Sequence, residues 1–448
     1  MREMFKYISI IVLLLGGFSF AQEDLSLKQA IEKGLANNFQ VKIVALNVEA
    51  AETQNTWGMA GMVPTFSLGL TNAANINDNT NNPASFFPGL TFSDNLQASV
   101  DMNWTIFSGF GIRINKERFD QLEAQTKGNA ILAIENTIYE IIIAYYTAVN
   151  QERKLEVLGE LLAYSRSKQA YYQTKSDIGI STSIDQIEFE NQVLVDSSNY
   201  LLQDLNLRNS LRNLNMLMGE SVELNYTLTD SLQIEIPQTG YSEMNDKMLA
   251  NNSSLQNQYI NLKLKMLDED ARKSAYYPVV TLGLGASPSV GYFRLFDDAM
   301  PFEANTNSLN YFATINARYT LFNGMQRKRN SEIAAIQTNI ATLQKDELEN
   351  QLTHQLRGIF ELYQTQIKLE KMGLERLNQT ERLWDLARDR YNLGSITIFN
   401  LNDVKLSYQS AKLAYYDRIF DLIKTHYDLM RITGEISQEY TVAGIVND

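Results

Sequence analysis

The chain repeats itself. Leu35-Ala36-Asn37-Asn38 recurs 214 residues later as Leu249-Ala250-Asn251-Asn252. Pro64 and Leu68-Gly69-Leu70 return at the same offset as Pro278 and Leu282-Gly283-Leu284. Beyond that the offset is 215: Trp104-Thr105-Ile106-Phe107-Ser108-Gly109 matches Tyr319-Thr320-Leu321-Phe322-Asn323-Gly324. Gly179 and Thr182 match Gly394 and Thr397, and Gly219-Glu220 matches Gly434-Glu435. The slip falls between 70 and 104, in a stretch that reads as loop. By length alone, 448 residues would hold about three average domains. A constant offset means instead one structure built twice.

Each copy has the same order. A helical pattern (about 25–60, then 242–276) leads into two strands with a long loop. A very long helical pattern follows (110–177, then 325–391), then a short turn and a second helix (183–218, then 402–433). Ser108 and Asn323 stand where they can cap the long helices. Gly219 and Gly434 stand where a left-handed C-terminal cap belongs. The expected organisation is a leader over 1–21, a first repeat over 22–220, a linker over 221–241, a second repeat over 242–435 and a tail over 436–448. Its strands fall near 62–74 and 95–107, then 278–288 and 310–322.

The leader sets the compartment. Arg2 and Lys6 precede the apolar run Ile8 to Leu15, and Ser19-Phe20-Ala21 offers small residues at the two positions a signal peptidase reads. The pattern is that of a secretory signal peptide cut after Ala21. The next residue is Gln22, so no lipid is expected there. No later stretch is apolar enough for a transmembrane helix.

Composition narrows the chemistry. Without cysteine there is no disulfide, zinc-thiolate site or cysteine nucleophile. A formal charge of −13 without a basic run argues against nucleic acid, whose phosphates need clustered Lys and Arg. His354 and His426 stand alone in helical stretches and read as packing or surface residues. No nucleophile motif, phosphate-binding glycine loop or metal-spaced cluster is present, so the chain reads as no enzyme, with no cofactor and no metal.

The strands carry the sharpest pattern. Leu96, Ala98, Val100, Met102, Trp104 and Ile106 alternate with Gln97, Ser99, Asp101, Asn103 and Thr105. Ala313, Ile315, Ala317, Tyr319 and Leu321 alternate with Thr314, Asn316, Arg318 and Thr320. Strict period two marks strands with one apolar face. Their length, about 11–13 residues, suffices to span a bilayer at a tilt. Aromatics gather toward both ends, with Trp104, Phe107, Tyr319 and Phe322 at one, as in interfacial girdles. A charge on the lipid side at mid-bilayer costs roughly 2–4 kcal/mol for Arg, so Asp101 and Arg318 are expected to face a lumen. Four strands cannot close a barrel, and open edges in lipid leave backbone groups unpaired. The barrel must therefore be shared: two copies give 8 strands, three give 12.

The long helical patterns correspond to roughly 100 Å each, and each flanking helix to roughly 52 Å. Ile131, Ile134, Ile138, Ile141, Tyr145 and Ala148 recur at coiled-coil spacing, as do Ile333, Ile336, Ile340 and Leu343. The opposite faces are polar. A membrane strand feeding such a helix implies a tube projecting into water.

These residues resemble the TolC family of outer-membrane efflux proteins. The resemblance covers nearly the whole mature chain. It rests on the two-fold repeat, the [WY]-T-[IL]-F-[SN]-G junction, and the helix-turn segments Tyr172 to Asp185 and Tyr391 to Asp403. It implies a mixed α and transmembrane β fold: a homotrimer sharing a 12-stranded outer-membrane barrel, continued by a coiled-coil periplasmic tunnel. It implies a passive channel of a tripartite efflux or type I secretion system. Its partners would be outer-membrane lipid, a periplasmic adaptor protein and an inner-membrane transporter. It also implies a gate at the periplasmic helix turns. Matching from Gly179 gives Asp185; matching from Gly394 gives Asn400, where the family often has Asp, and Asp403. Tyr391 matches a Tyr that helps hold the tip closed, and Ile396 stands where well-known members carry Arg. The competing reading is a soluble periplasmic coiled-coil scaffold, which would partition into water where a barrel trimer needs detergent.

Overall fold

A computed structural model describes residues 23–178, 183–233, 240–296 and 301–440. The expected leader, Gly179, Thr182 and the tail from 441 lie outside the described residues. The first repeat runs β1 (Glu23–Leu25), α1 (Leu27–Asn37), α2 (Phe39–Gln54), β2 (Thr65–Asp78), β3 (Leu90–Ser108), α3 (Gly111–Asp177) and α4 (Ser183–Met218). A short β4 (Tyr226–Leu228) lies in the expected linker. The second repeat runs α5 (Tyr241–Asn251), α6 (Ser253–Ser274), β5 (Val279–Phe296), β6 (Phe302–Arg318), α7 (Gln326–Asn392) and α8 (Ile398–Thr433), and α9 (Glu435–Glu439) begins the tail.

Contacts divide the chain into two units. The first gathers the residues up to Ala45, Ala130–Ser253 and those from Asn350 onward. The second holds Leu46–Asn129 and Ser254–Glu349.

In the first unit the repeated motifs have repeated jobs. The helical stretch expected over 25–60 is two helices broken at Asn38, and its counterpart breaks at Asn252. Asn38 donates from Nδ2 to the Leu217 carbonyl at 2.7 Å, and Asn252 does the same to Ile432 at 2.9 Å. Gly219 and Gly434 end α4 and α8 in the left-handed region, φ 70° and 75°. A Cβ on Gly219 would lie 2.7 Å from the Asn37 backbone, and one on Gly434 would lie 2.4 Å from the Asn251 carbonyl oxygen. Positive φ and close approach both demand glycine there. Lys33 pairs with Glu220 at 3.4 Å, and its counterpart Lys247 pairs with Glu435 at 2.7 Å. The Leu-Ala-Asn-Asn and Gly-Glu motifs are thus two halves of one recurring helix-end lock. Helix α3 packs antiparallel to α8, as the pairs Glu160–Lys412, Lys154–Asp417 and Tyr139–Asp428 record. The linker strand β4 pairs in parallel with β1. Tyr145 pins the two by donating to the Leu25 carbonyl at 2.8 Å, and its hydroxyl also lies 2.7 Å from the Asp230 carboxylate.

The second unit is built on one antiparallel sheet in the order β2-β3-β5-β6. Its strands overrun the expected limits: β2 continues to Asp78, β3 starts at Leu90, β5 reaches Phe296 and β6 starts at Phe302. Thr71 to Asp78 pairs residue by residue with Leu90 to Gln97. Backbone pairing extends it where Asn and Ala give little hydrophobic alternation. At the other end β6 stops at Arg318, short of the expected 322. The register puts Phe66, Leu68 and Leu70 beside Met102, Val100 and Ala98, then Leu284 and Ala286, then Ala313 and Tyr311. That face is apolar. Asp101 lies across from Ser67 and Gly285 on the other face. Gly285 lies across from Phe312, six residues before Arg318, so Asp101 and Arg318 share a face. Trp104 lies on the apolar face opposite Leu282. A bulge at Ile106 then sets Phe107 opposite Val280, turning its side chain onto the apolar face against the simple alternation. Tyr319 and Phe322 follow the end of β6.

The junctions into the long helices are also duplicated. Gly109-Phe110 and Gly324-Met325 each place two successive residues at positive φ, between 61° and 68°. Asn323 accepts from Arg327 N–H at 3.4 Å. The stripe Ile333, Ile336, Ile340 and Leu343, expected as packing, is exposed.

Candidate functional site

The turn between α7 and α8 follows from its residues. Gly394 (φ 73°) donates to the Tyr391 carbonyl at 2.9 Å, and Ser395 donates to Arg390 at 2.8 Å. This double bond pattern ends a helix at a left-handed glycine. Thr397 then caps α8, its Oγ1 accepting the Asn400 N–H at 3.3 Å. Asn400 therefore contributes its backbone to the cap, and its side chain is exposed. Asp403 is exposed on the next turn. Asp185 lies in the first turn of α4, where a carboxylate meets the positive end of the helix dipole.

Tyr391 is buried in a cluster with Val157, Leu161, Phe189, Trp384, Leu401 and Tyr408, joined at its edge by Tyr172 and Ile396. Phe189 stacks on Tyr172 with ring centres 5.1 Å apart, and both rings lie 6.2 Å from Tyr391. Burial, then Tyr172, then the Asp185 carboxylate push the Tyr391 phenol far above its ordinary range, so it stays protonated. Lys168 donates to Asn392 Oδ1 at 2.7 Å and stands 5.8–5.9 Å from the rings of Tyr164, Tyr171 and Tyr391. Its burial lowers the ammonium pKa. Of the residues read from the sequence, Asp185 and Tyr391 come together; Asn400 and Asp403 stand apart from them on the open face of α8.

The sequence reading missed a buried ion pair about two turns from the cap. Lys405 is 1 % exposed and Asp196 is 4 % exposed. They pair directly. Lys405 also donates to Ser165 Oγ at 2.8 Å, Ser165 Oγ donates to Asp196 at 2.6 Å, and Gln192 donates to Asp196 at 2.8 Å. The node ties α8 of the second repeat to α3 and α4 of the first. Asn402 adds a bond to Glu188 at 2.9 Å. A signal existed: Ile398, Leu401, Lys405 and Tyr408 lie at helical spacing, so Lys405 falls on a buried stripe. A lysine there must find a partner.

No helix among the described residues is long and apolar enough to cross a membrane. No group of three potential His, Cys, Asp or Glu ligands occurs among them.

The architecture has close relatives in shape. The CmeC outer membrane channel of Campylobacter jejuni superposes with a TM-score of 0.76 at 13 % identity, over 96 % of this chain and 90 % of that one. VceC, an outer membrane protein of Vibrio cholerae, gives 0.70 at 15 % identity over 91 % and 96 %. The open state of the MtrE outer membrane channel of Neisseria gonorrhoeae gives 0.70 at 16 % identity over 91 % and 88 %. No curated sequence matches the chain. The family profile described as outer membrane efflux protein matches twice, over residues 30–220 and 245–435, one match per repeat. The chain belongs to the outer membrane efflux protein family and is an outer-membrane channel protein of the efflux type.

Proposed function

We propose that three copies of this chain pool their sheets into a 12-stranded barrel and their helices into a periplasmic conduit. The conduit receives cargo from an inner-membrane transporter through a periplasmic adaptor. The observation that carries this reading is the sheet itself: four strands, with β2 exposed along its whole length and β6 along nearly all of it. Such edges are tolerated in a bilayer only when another chain pairs with them. The helical unit supports it too. Val157 is 1 % exposed, whereas its repeat counterpart Met372 is 64 % exposed, so at this position the second repeat presents outward what the first buries inward.

In the closed barrel the apolar face meets lipid, with Trp104, Phe107, Tyr319 and Phe322 in one interfacial belt. Asp101 and Arg318 face the lumen. The turn segments form the gate: Asp185 and Tyr391 hold it from within the packed cluster, and Asp403 and Asn400 line the opening. The chain performs no chemistry and selects by bore and charge. Planar-bilayer recording tests this. Wild-type protein should run as a compact trimer on an unheated detergent gel and conduct ions. Asp403→Asn should lower cation preference and weaken divalent block. A monomer without channel activity would favour the scaffold reading, and unchanged selectivity would remove Asp403 from the gate.

A further inference from the structure

The internal symmetry of the sheet carries information about strands that have no partner in the single chain. The two hairpins share one register. Leu68 pairs with Val100, and their counterparts Leu282 and Ile315 pair likewise; Phe66 pairs with Met102, as Val280 does with Ala317. The same offsets, 214 for the first strand and 215 for the second, thus hold in space as well as in sequence. The chain also shows how one hairpin joins the next. Trp104 pairs with Leu282 and Thr105 with Thr281; after the bulge, Phe107 pairs with Val280.

From this we infer the register by which β6 of one copy pairs with β2 of the next, an inference that rests on the shared-barrel reading. Carrying the β3–β5 pairs forward sets Tyr319 opposite Leu68 of the next copy, Thr320 opposite Ser67, and Phe322 opposite Phe66, with the bulge at Leu321. Higher up, the Leu96–Val290 pair becomes Tyr311 opposite Ile76.

Three observations agree with this register. First, faces match where β6 is a strand: Ile76 lies on the apolar face, and so does Tyr311. Second, β3 extends to Ser108 because β5 pairs with it there, whereas β6 ends at Arg318, five residues short of the equivalent Asn323. Tyr319 to Asn323 lacks strand structure where its β5-equivalent belongs to another copy. Third, a Cβ on Gly109 would lie 2.3 Å from the Ser274 carbonyl oxygen and 2.7 Å from Tyr277, while Gly324 has nothing within 4 Å. The counterparts of Ser274 and Tyr277 are Ala60 and Val63, which the next copy supplies.

The cysteine-free chain makes the test clean. Directly opposed residues on paired strands have Cβ atoms about 4.5–5.5 Å apart, and diagonal neighbours about 7–8 Å, the latter too far for a disulfide. Ser67 lies on β2 and Thr320 just beyond the end of β6, at opposite edges of one sheet, so they cannot bridge within a chain. Full-length protein carrying Ser67→Cys with Thr320→Cys should, after oxidation, run as covalent dimers and trimers on a boiled, non-reducing gel. Thr65→Cys with Thr320→Cys, two residues out of register, should stay monomeric. An unheated gel of each variant reports whether the trimer assembled. Cross-linking of the shifted pair alone, or of neither pair in an intact trimer, would overturn the register while leaving the trimer standing. A wild-type protein that forms no trimer would overturn the shared barrel itself.

Discussion

Helices α3 and α7 are the same element twice, each 67 residues long, yet they face different surroundings. Helix α3 buries Ile134, Ile138, Ile141, Tyr145 and Ala148 within its own chain. Helix α7 leaves Ile333, Ile336, Leu343 and Met372 exposed. Yet Leu356 and Tyr363, the counterparts of Ile141 and Ala148, are buried, as are Trp384 and Tyr391, so duplication has preserved backbone, caps and turns while dividing the labour only at particular positions such as Val157 and Met372. Side chains, not element boundaries, record that division.

The contrast can be broken hardest at the node joining the halves. Lys405→Met strands a buried Asp196 and should cost about 3–5 kcal/mol, seen as earlier loss of helical circular dichroism. The pair Lys405→Met with Asp196→Leu should recover most of that loss, because two apolar side chains leave no charge without a partner. Next comes Tyr145, whose hydroxyl holds β1 and faces Asp230. Tyr145→Phe should cost about 1–3 kcal/mol, whereas Phe360→Tyr at the counterpart, which is half-buried, should stay within about 0.5 kcal/mol in the same melts. A sharper separation comes from truncation. Val157→Ala removes two buried methyl groups and should cost about 1.6 kcal/mol. Met372→Ala should leave the melt unchanged but reduce the trimer band on an unheated gel.

The smallest effect concerns pH. His426 is half-buried against Tyr363 and Tyr427, and burial lowers its pKa from 6.5, while Glu435 opposes the shift. Below about 6.5 the unfolded chain takes up a proton that the folded chain refuses, so stability falls as pH drops through that window. His426→Leu should flatten this slope, measured by denaturant melts between pH 7 and pH 5.

Much of this architecture was legible because repetition amplifies weak signals. Gly219 and Gly434 marked true left-handed helix ends, and the limits of α3, α4 and α7 fell within a residue or two of expectation. The outer strand ends were not legible. Asn72, Asn75 and Asn77 give no alternation, and only backbone pairing with β3 makes that segment a strand. The turn region was located by resemblance rather than by pattern. The helix-end Asp185 and Tyr391 came from the family resemblance at the helix turns, but the meeting of Lys405, Asp196 and Ser165 depends on three helices far apart in sequence. Periodicity shows that a lysine is on the inside face without showing what waits there.

The paired left-handed residues at the strand-to-helix joints have a mechanical consequence. A non-glycine residue in that conformation costs roughly 1–2 kcal/mol, and Phe110 and Met325 both accept it beside a glycine. Each elbow is a stiff, pre-bent coupling rather than a slack hinge, so torque on the long rod should reach the strand as movement instead of being lost in the connector.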